Sequence, residues 1–278
     1  MRSFIFLRAF LSCDKMRNAW RVIEVVITSR TRNAVVRSGH VGSNPTLSVL
    51  DRVKRSMFFR KGCLSMYQSV IFDLDGTLLN TLDDLTDSVN ATLSAFCLPE
   101  KTRDDVRQAV GNGGRNLMRM VIPGGEAHPA FQEILDYYVP YYENHCRIRT
   151  RPYEGIMDLL VRLREKQIGM AIVSNKGDGA VQELASLYFD GIIDQAVGER
   201  DGIRRKPAPD SVLEAMRLLG SAPKETLYVG DSEVDYTTAI NAGLDVALVT
   251  WGFRDRNSLF GLHPKYLIDH PRDLLHLF

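Results

Sequence analysis

The fold of this chain is decided by residues 70–78, which read Val-Ile-Phe-Asp-Leu-Asp-Gly-Thr-Leu. The apolar run is typical of a buried strand, and side chains alternate along a strand, so Asp73 and Asp75 share one face. Two carboxylates that close repel each other unless a cation or a shared proton lies between them. The pair suits one nucleophile and one acid/base beside a metal. Taken alone, such a pattern is more often a turn after a buried strand, because Asp-Gly favours turns.

The overall composition is that of a globular protein. The chain has 278 residues, 45% hydrophobic and 25% charged, which suits one domain of medium size with a smaller one. The cysteines show no paired or metal-type spacing, so we interpret them as reduced thiols of a cytoplasmic protein. They are Cys13, Cys63, Cys97 and Cys146. Because no apolar run is long enough for a spanning helix, we predict no membrane role.

The near-neutral net charge is the sum of a basic N-terminal segment and an acidic remainder of the chain. Residues 1–65 contain 13 Lys and Arg against 3 acidic residues, whereas residues 66–278 contain 22 against 31. The basic segment could be a nucleic-acid-binding arm, a mitochondrial transit peptide, or sequence that is not native to the protein. Residues 41–46, Val-Gly-Ser-Asn-Pro-Thr, resemble the translated T-arm of a transfer-RNA gene. We therefore predict that the chain starts at Met66, that residues 1–65 are not native or are disordered, and that no nucleic acid is bound.

From Met66 onward, short apolar runs alternate with helical patterns. The runs are 70–72, 168–173, 191–197, 226–229 and 245–249, and the helical stretches are 155–166, 178–188, 209–219 and 233–242. This rhythm predicts an α/β fold with a parallel sheet covered on both faces. Sites in such folds lie beyond the carboxyl ends of the strands.

Residues 82–150 interrupt the alternation. Apolar residues recur there at helical spacing, and Thr102 with Asp105 has the pattern of a capping box. We predict an all-helical insertion between a core formed by residues 66–81 and 151–278. It could close over the site as a lid or be a purely structural subdomain.

Further polar residues follow the other predicted strands. Ser174 and Asn175 follow one strand, Lys206 precedes a helix, and residues 230–235 read Gly-Asp-Ser-Glu-Val-Asp after another strand. Each alone is an ordinary helix cap, surface charge or turn. Because all would meet at one edge of a parallel sheet, we predict that they form one site with the aspartate pair.

Together these segments resemble the motifs of the haloacid dehalogenase superfamily, in its order and spacing. Residues 73–77 resemble the first motif, Ser174 the second, Lys206 the third and residues 230–235 the fourth. The resemblance covers residues 66–278 and implies a Rossmann-like, doubly wound parallel sheet with an inserted helical cap. The cap is similar to that of the phosphoglycolate phosphatase branch. Residues 110–117 resemble the cap loop of that branch.

The resemblance implies a phosphatase that forms an aspartyl-phosphate. It implies that Asp73 is the nucleophile, that Asp75 is the general acid and base, and that Lys206 offsets charge at the phosphoryl group. The groups implied to hold the phosphoryl oxygens are Thr77, Ser174 and the backbone amide of Asn175.

A magnesium ion is the cofactor that the resemblance implies. Its ligands would be the side chains of Asp73 and Asp231 and the carbonyl of Asp75, with Asp235 supporting the site from behind. Oxygen ligands of this kind suit Mg²⁺.

The substrate implied is a small phosphorylated metabolite, with 2-phosphoglycolate first. Asn112, Gly113 and Arg115 of the cap loop are the specificity candidates, and Arg115 could pair with the substrate carboxylate. A pyrophosphatase, a nucleotidase and a hexose-phosphate mutase have similar cores and remain alternatives. A regulatory protein on an inactive scaffold is the non-enzyme alternative, which the complete set of motif residues opposes.

Overall fold

The computed structural model describes residues 67–278 and, in the segment before them, three strands. These are β1 (Ile5–Leu11), β2 (Arg21–Ile27) and β3 (Val35–Ser38), which form an antiparallel sheet in that order. The chain divides into two compact units, Met1–Leu64 and Ser65–Phe278. The predictions about residues 41–46 and a start at Met66 lie outside the described residues and stay predictions.

The second unit contains a six-stranded parallel sheet. Its strands are β4 (Ser69–Phe72), β7 (Gly169–Gly177), β8 (Gln195–Glu199), β9 (Thr226–Gly230), β10 (Asp245–Val249) and β11 (Tyr266–Ile268). The spatial order is β11-β10-β9-β4-β7-β8, so β4 lies between β7 and β9. Phe72 is level with Ile172 on one neighbour and Val229 on the other. The residues after these three strands therefore meet at one edge.

Nine α-helices accompany the strands in the described part of the chain. Four lie between β4 and β7 as one helical segment: α1 (Leu82–Ala95), α2 (Arg103–Ala109), α3 (Gly113–Val121) and α4 (Phe131–His145). The others are α5 (Ile156–Glu165), α6 (Asp178–Phe189), α7 (Asp210–Leu219), α8 (Glu233–Ala242) and α9 (Arg256–Phe260). Short 3₁₀ turns are Gly125–Ala127, Pro223–Glu225 and Pro271–Leu277. Helices long and apolar enough to cross a membrane do not occur among them.

The two faces of β4 belong to two different apolar clusters. Val70 and Phe72 pack in a cluster with residues of α5 and α6, whereas Ile71 packs in a cluster with residues of α7 and α8. Side chains alternate along a strand, so the sheet is covered by helices on both faces. The predicted α/β, doubly wound, Rossmann-like fold is confirmed.

Two predicted strands differ from the structure by more than one residue at an end. The strand predicted at 191–197 begins only at Gln195, because α6 ends at Phe189 and Gly191 turns the chain with φ of 70°. The strand predicted at 168–173 runs on to Gly177, with a register shift against β8 after Val173. This extension changes which side chains reach the site.

We call residues 82–150 the cap. Two short strands, β5 (Leu79–Asn80) and β6 (Arg151–Pro152), pair antiparallel where the chain enters and leaves it. Buried Asp84 accepts hydrogen bonds from the Arg149 amide at 2.8 Å and from the Thr150 amide and hydroxyl at 2.9 and 2.8 Å. The entry and the exit of the cap are thus held side by side. The predicted capping box at Thr102 and Asp105 is also formed.

Candidate active site

A cavity of about 330 Å³ lies between the carboxyl edge of the sheet and the cap. Its core wall contains motif residues from four separate chain segments, and its cap wall is largely apolar and aromatic. The core residues are Asp73, Asp75, Ser174, Asn175, Lys206, Asp231 and Asp235. The structure therefore brings these seven predicted residues of the core to one cavity.

Lys206 lies at the centre of a buried charge network. Its Nζ donates to Oδ1 of Asp73 at 2.7 Å, to Oδ1 of Asp235 at 2.8 Å and to the hydroxyl of Tyr228 at 3.2 Å. Burial opposes the positive charge, but Asp235 and Asp73 outweigh it, and the pKa of Lys206 lies well above its ordinary value. Lys206 is therefore a fixed cation beside the predicted nucleophile.

The negative charge of the carboxylates in this network exceeds the positive charge that the neighbouring residues supply. Burial, together with Asp235, holds the pKa of Asp73 well above its ordinary value, although Lys206 opposes the shift. The same two causes raise the pKa of Asp231 to about 7. Raised acid pKa values mean that the protein alone compensates these anions incompletely. A further cation at this point would relieve the repulsion.

The free carboxylate oxygens fit a magnesium ion. Asp73, Asp231 and Asp235 each offer an oxygen within 4.8 Å of the others. Both oxygens of Asp235 are already engaged, one by Lys206 and Tyr228 and the other by Ser232 at 2.6 Å. Oδ2 of Asp73 and Oδ1 of Asp231 have no hydrogen-bond partner among the described residues. Asp73 and Asp231 are thus placed to bind a hard cation, and Asp235 orients its neighbours.

Two glycines, which have no side chain, make room for the carboxylate of Asp231. A Cβ atom at Gly252 would overlap Oδ2 of Asp231, and one at Gly76, whose φ is 87°, would overlap the same oxygen. That oxygen also accepts the Phe253 amide at 2.6 Å. The position of the Asp231 carboxylate is therefore fixed by close backbone approach on two sides.

Gly252→Ala is expected to displace Asp231 and lower turnover by about 100-fold, since a shift near 1 Å at a reacting site can have that effect. The concentration of Mg²⁺ at half-maximal activity should rise with it. The matched control is Gly261→Ala, where the new Cβ atom would lie 3.5 Å from its nearest neighbour. Equal activity in the two variants would contradict this account.

Asp75 is held by three side chains. Thr81 donates to Oδ1 at 2.6 Å, Lys176 lies 2.8 Å from the same oxygen, and the Ser174 hydroxyl is 3.5 Å from Oδ2. Asp75 therefore directs Oδ2 toward the side of the cavity on which Ser174 lies.

Lys176 was missed by reasoning from the sequence. It lines the cavity, is only 9% exposed, and donates to the hydroxyl of Tyr142 on α4. Burial and the nearby Asp75 raise the pKa of Tyr142 well above its ordinary value, so this hydroxyl stays protonated. The available signal was the two-residue spacing from Ser174, which places both side chains on one face if the strand continues.

The predicted phosphate-binding groups differ in their hydrogen bonding. The hydroxyl of Thr77 is buried and has no hydrogen-bond partner among the described residues, and Thr77 is not among the residues that line the cavity. The Asn175 side chain is engaged: it donates to the carbonyls of Gly111 and Lys206 at 3.1 and 3.0 Å and accepts the Lys206 amide at 2.7 Å. It therefore fixes the Lys206 loop against the cap, and only its backbone amide could face a phosphate.

The cap-loop candidates lie at the margin of the cavity. Gly113 and Arg115 line it, and the carbonyl of Asn112 accepts from Arg205 at 3.3 Å. The Arg115 guanidinium binds Glu126 at 3.0 Å, donates to Gln132 at 3.2 Å and stacks on the ring of Phe131. The roles predicted for the three cap-loop residues stay predictions.

The sequence matches one family of hydrolases and is similar to several named phosphatases. Residues 70–249 match the family model described as haloacid dehalogenase-like hydrolase. Phosphoglycolate phosphatase 1 of Pseudomonas aeruginosa is 33% identical over 74% of this chain and 78% of its own length. Phosphoglycolate phosphatase of Aquifex aeolicus is 31% identical over 75% and 95%, respectively. N-acetylmuramic acid 6-phosphate phosphatase of P. aeruginosa is 31% identical over 75% and 93%.

Solved structures are similar over the same part of the chain. Two crystal structures are of proteins provisionally named phosphoglycolate phosphatase. The one from Lactobacillus delbrueckii has a TM-score of 0.72 and 35% identity, covering 75% of this chain and 97% of that one. The one from Haemophilus somnus has a TM-score of 0.72 and 26% identity, covering 77% and 99%.

Proposed function

Because the chain belongs to the haloacid dehalogenase-like hydrolase family, as its motifs predicted, we propose that it is a magnesium-dependent phosphatase of small phosphate monoesters, with 2-phosphoglycolate as its substrate. The observation that carries the proposal is the pair Asp73 and Asp75 in one cavity, each with its own cationic neighbour. An alkoxide leaving group needs a proton, which a second carboxyl group can supply, whereas a halide does not. The pair therefore favours cleavage of an ester oxygen.

In the first step, the carboxylate of Asp73 attacks phosphorus and the bond from phosphorus to the ester oxygen breaks. Asp75 gives a proton to the departing oxygen, which leaves as an alcohol. Lys206 holds Oδ1 of Asp73 at 2.7 Å and so orients the attacking carboxylate. The product of this step is an aspartyl-phosphate.

In the second step, Asp75 takes a proton from a water molecule that attacks the same phosphorus. The bond between phosphorus and Asp73 breaks, and inorganic phosphate and the free carboxylate are released. The Thr77 and Ser174 hydroxyls and the Asn175 amide are the donors proposed for the phosphoryl oxygens. A Mg²⁺ ion held by Asp73, Asp231 and the Asp75 carbonyl would supply positive charge to these oxygens.

The size of the cavity favours a small substrate. Its volume of about 330 Å³ lies at the lower end of the usual range for ligand pockets, roughly 300–1,000 Å³. The relatives named phosphoglycolate phosphatase support the choice of substrate, and the relative named for N-acetylmuramic acid 6-phosphate marks the principal rival among esters. Both candidates carry a carboxylate besides the phosphate.

The direct test is phosphate release from a panel of phosphates, with Mg²⁺ and with a chelator. The panel contains 2-phosphoglycolate, N-acetylmuramic acid 6-phosphate, pyrophosphate, a nucleoside monophosphate and a hexose phosphate. We expect Mg²⁺-dependent release, with the highest kcat/KM for 2-phosphoglycolate. A higher kcat/KM for pyrophosphate or the nucleotide would make that compound the substrate in place of 2-phosphoglycolate. A bisphosphate product would indicate a mutase. If no compound releases phosphate, the proposal is rejected.

Asp75→Asn is expected to lower steady-state turnover of 2-phosphoglycolate by about 10²- to 10⁴-fold, the usual contribution of a general acid or base. With p-nitrophenyl phosphate, the leaving group departs without a proton, so rapid mixing should give a burst of p-nitrophenol followed by slow turnover. Mg²⁺ affinity should persist because the Asp75 carbonyl remains. A variant without a burst, or one with full activity on 2-phosphoglycolate, would contradict the role assigned to Asp75.

A further inference from the structure

The mechanism leaves one buried cation of the cavity unused. Lys176 follows Ser174 by two residues on β7 and its ammonium lies 2.8 Å from Oδ1 of Asp75. We propose that Lys176 and Tyr142 together bind a carboxylate on the leaving part of the substrate and thereby determine specificity. This inference rests on the phosphatase function proposed above and assigns the residues that recognise its substrate.

The position of Lys176 is on the leaving-group side of the site. Asp75 must reach the departing ester oxygen in order to protonate it, so that oxygen passes within hydrogen-bond distance of the Asp75 carboxyl group. Lys176 contacts the same carboxyl group at Oδ1, whereas Oδ2 is the oxygen nearer to Ser174. In a two-carbon acid ester, the carboxylate lies two bonds beyond the ester oxygen. Lys176 is therefore close to where that carboxylate would lie.

The hydrogen-bond inventory leaves two donors for such a group. An ammonium has three N–H donors, and those of Lys176 reach Asp75 and Tyr142, with no third acceptor among the described residues. Tyr142 accepts from Lys176, so its own hydroxyl hydrogen remains to be donated. Two donors side by side, one of them charged, match the two oxygens of a carboxylate.

The other cations around the cavity are already engaged. Lys206 binds Asp73 and Asp235, and Arg254 binds Glu233 at 2.9 Å and the carbonyl of Val110 at 2.8 Å. The cap wall next to Tyr142 is formed mostly by nonpolar side chains, with Tyr138 and Glu143 as its polar members; the nonpolar ones are Leu85, Leu117, Leu135 and Val139. In surroundings of this kind, a buried ammonium without its full complement of acceptors favours an anionic ligand.

The test compares 2-phosphoglycolate with ethyl phosphate, which has the same length and no carboxylate. In the full chain with Mg²⁺, we expect kcat/KM to be higher for 2-phosphoglycolate. Lys176→Met should lower the ratio of the two kcat/KM values by about 10- to 100-fold, the usual effect of losing a charged hydrogen bond. Tyr142→Phe, which keeps the ring and removes only the hydroxyl, should lower the ratio in the same direction by a smaller factor. Lys224→Met removes an exposed lysine and is the control for charge alone.

Several outcomes separate this inference from its rivals. If Lys176 only positions Asp75, Lys176→Met will slow both substrates equally, and the inference is overturned. It is also overturned if Arg115→Met changes the ratio and Lys176→Met does not. If Lys176→Met does not fold, as seen by circular dichroism, an unchanged ratio in Tyr142→Phe overturns the inference. Failure of the wild type to hydrolyse either ester would instead reject the proposed function.

Discussion

Asp73→Asn is expected to abolish turnover, with kcat falling by about 10⁴-fold or more, as in other enzymes that lose a nucleophile. An amide oxygen is a poor nucleophile and cannot form the acyl-phosphate. The side chain stays close to isosteric, so the variant should fold. It should also bind Mg²⁺ more weakly, because Asp73 is one of the two carboxylates with a free oxygen in the cluster.

The measurement is phosphate release combined with detection of the covalent intermediate. Wild-type enzyme that is quenched during turnover and reduced with borohydride should carry a modification at residue 73, found by peptide mass spectrometry. The variant should lack it. Asp84→Asn is the matched control, since Asp84 is a buried carboxylate that fixes the cap exit and has no place in the chemistry. A label on another residue, or substantial activity in Asp73→Asn, would reject Asp73 as the nucleophile.

Lys206→Met has the second of the two largest expected effects, since it should both inactivate and destabilise the protein. Lys206 is 3% exposed and its ammonium binds the carboxylates of Asp73 and Asp235 at 2.7 and 2.8 Å. Removing one member of a buried charge group leaves the others uncompensated, which costs about 3–5 kcal/mol. The free energy of unfolding should fall by this amount, and phosphate release should be lost.

Urea denaturation of the wild type, Lys206→Met and Asp73→Asn/Lys206→Met measures the coupling. The double variant has one uncompensated carboxylate fewer, so the effect of Lys206→Met should be smaller in the Asp73→Asn background. Lys224→Met is again the control for loss of an exposed charge. If Lys206→Met unfolds at the same urea concentration as the wild type, the network does not stabilise the fold as its geometry indicates.

The positions of the core elements could be predicted from the sequence because they depend on local pattern. Alternating apolar runs and helices identify the parallel sheet, and the residues after Phe72, Val173 and Val229 meet because those strands are neighbours in register. Strand ends were less predictable. Polar residues past Val173 suggested a loop, but pairing between Gly177 and Glu199 carries β7 further.

Contacts between the cap and the core were beyond sequence reasoning. Arg115 is predicted as the carboxylate partner because it is a cation in the cap loop, but its contacts with Glu126 and Gln132, in other parts of the cap, were not foreseen. Lys176 was not singled out from the sequence, and its contact with Tyr142 joins residues that lie 34 positions apart in the chain. Pairings at this separation depend on how the helices pack, which no local pattern encodes.

The short ladder of β5 and β6 has a consequence for how such enzymes diversify. Since Leu79 lies opposite Pro152, the chain leaves the core for the cap and returns to the core at a single point. The entropic cost of closing a loop grows only slowly with its length. The length of the insertion at this point therefore has little effect on the stability of the sheet. A cap of another size or shape could replace this one without changing any strand pairing. Recombination at this one junction would therefore give an unchanged catalytic sheet a new range of substrates.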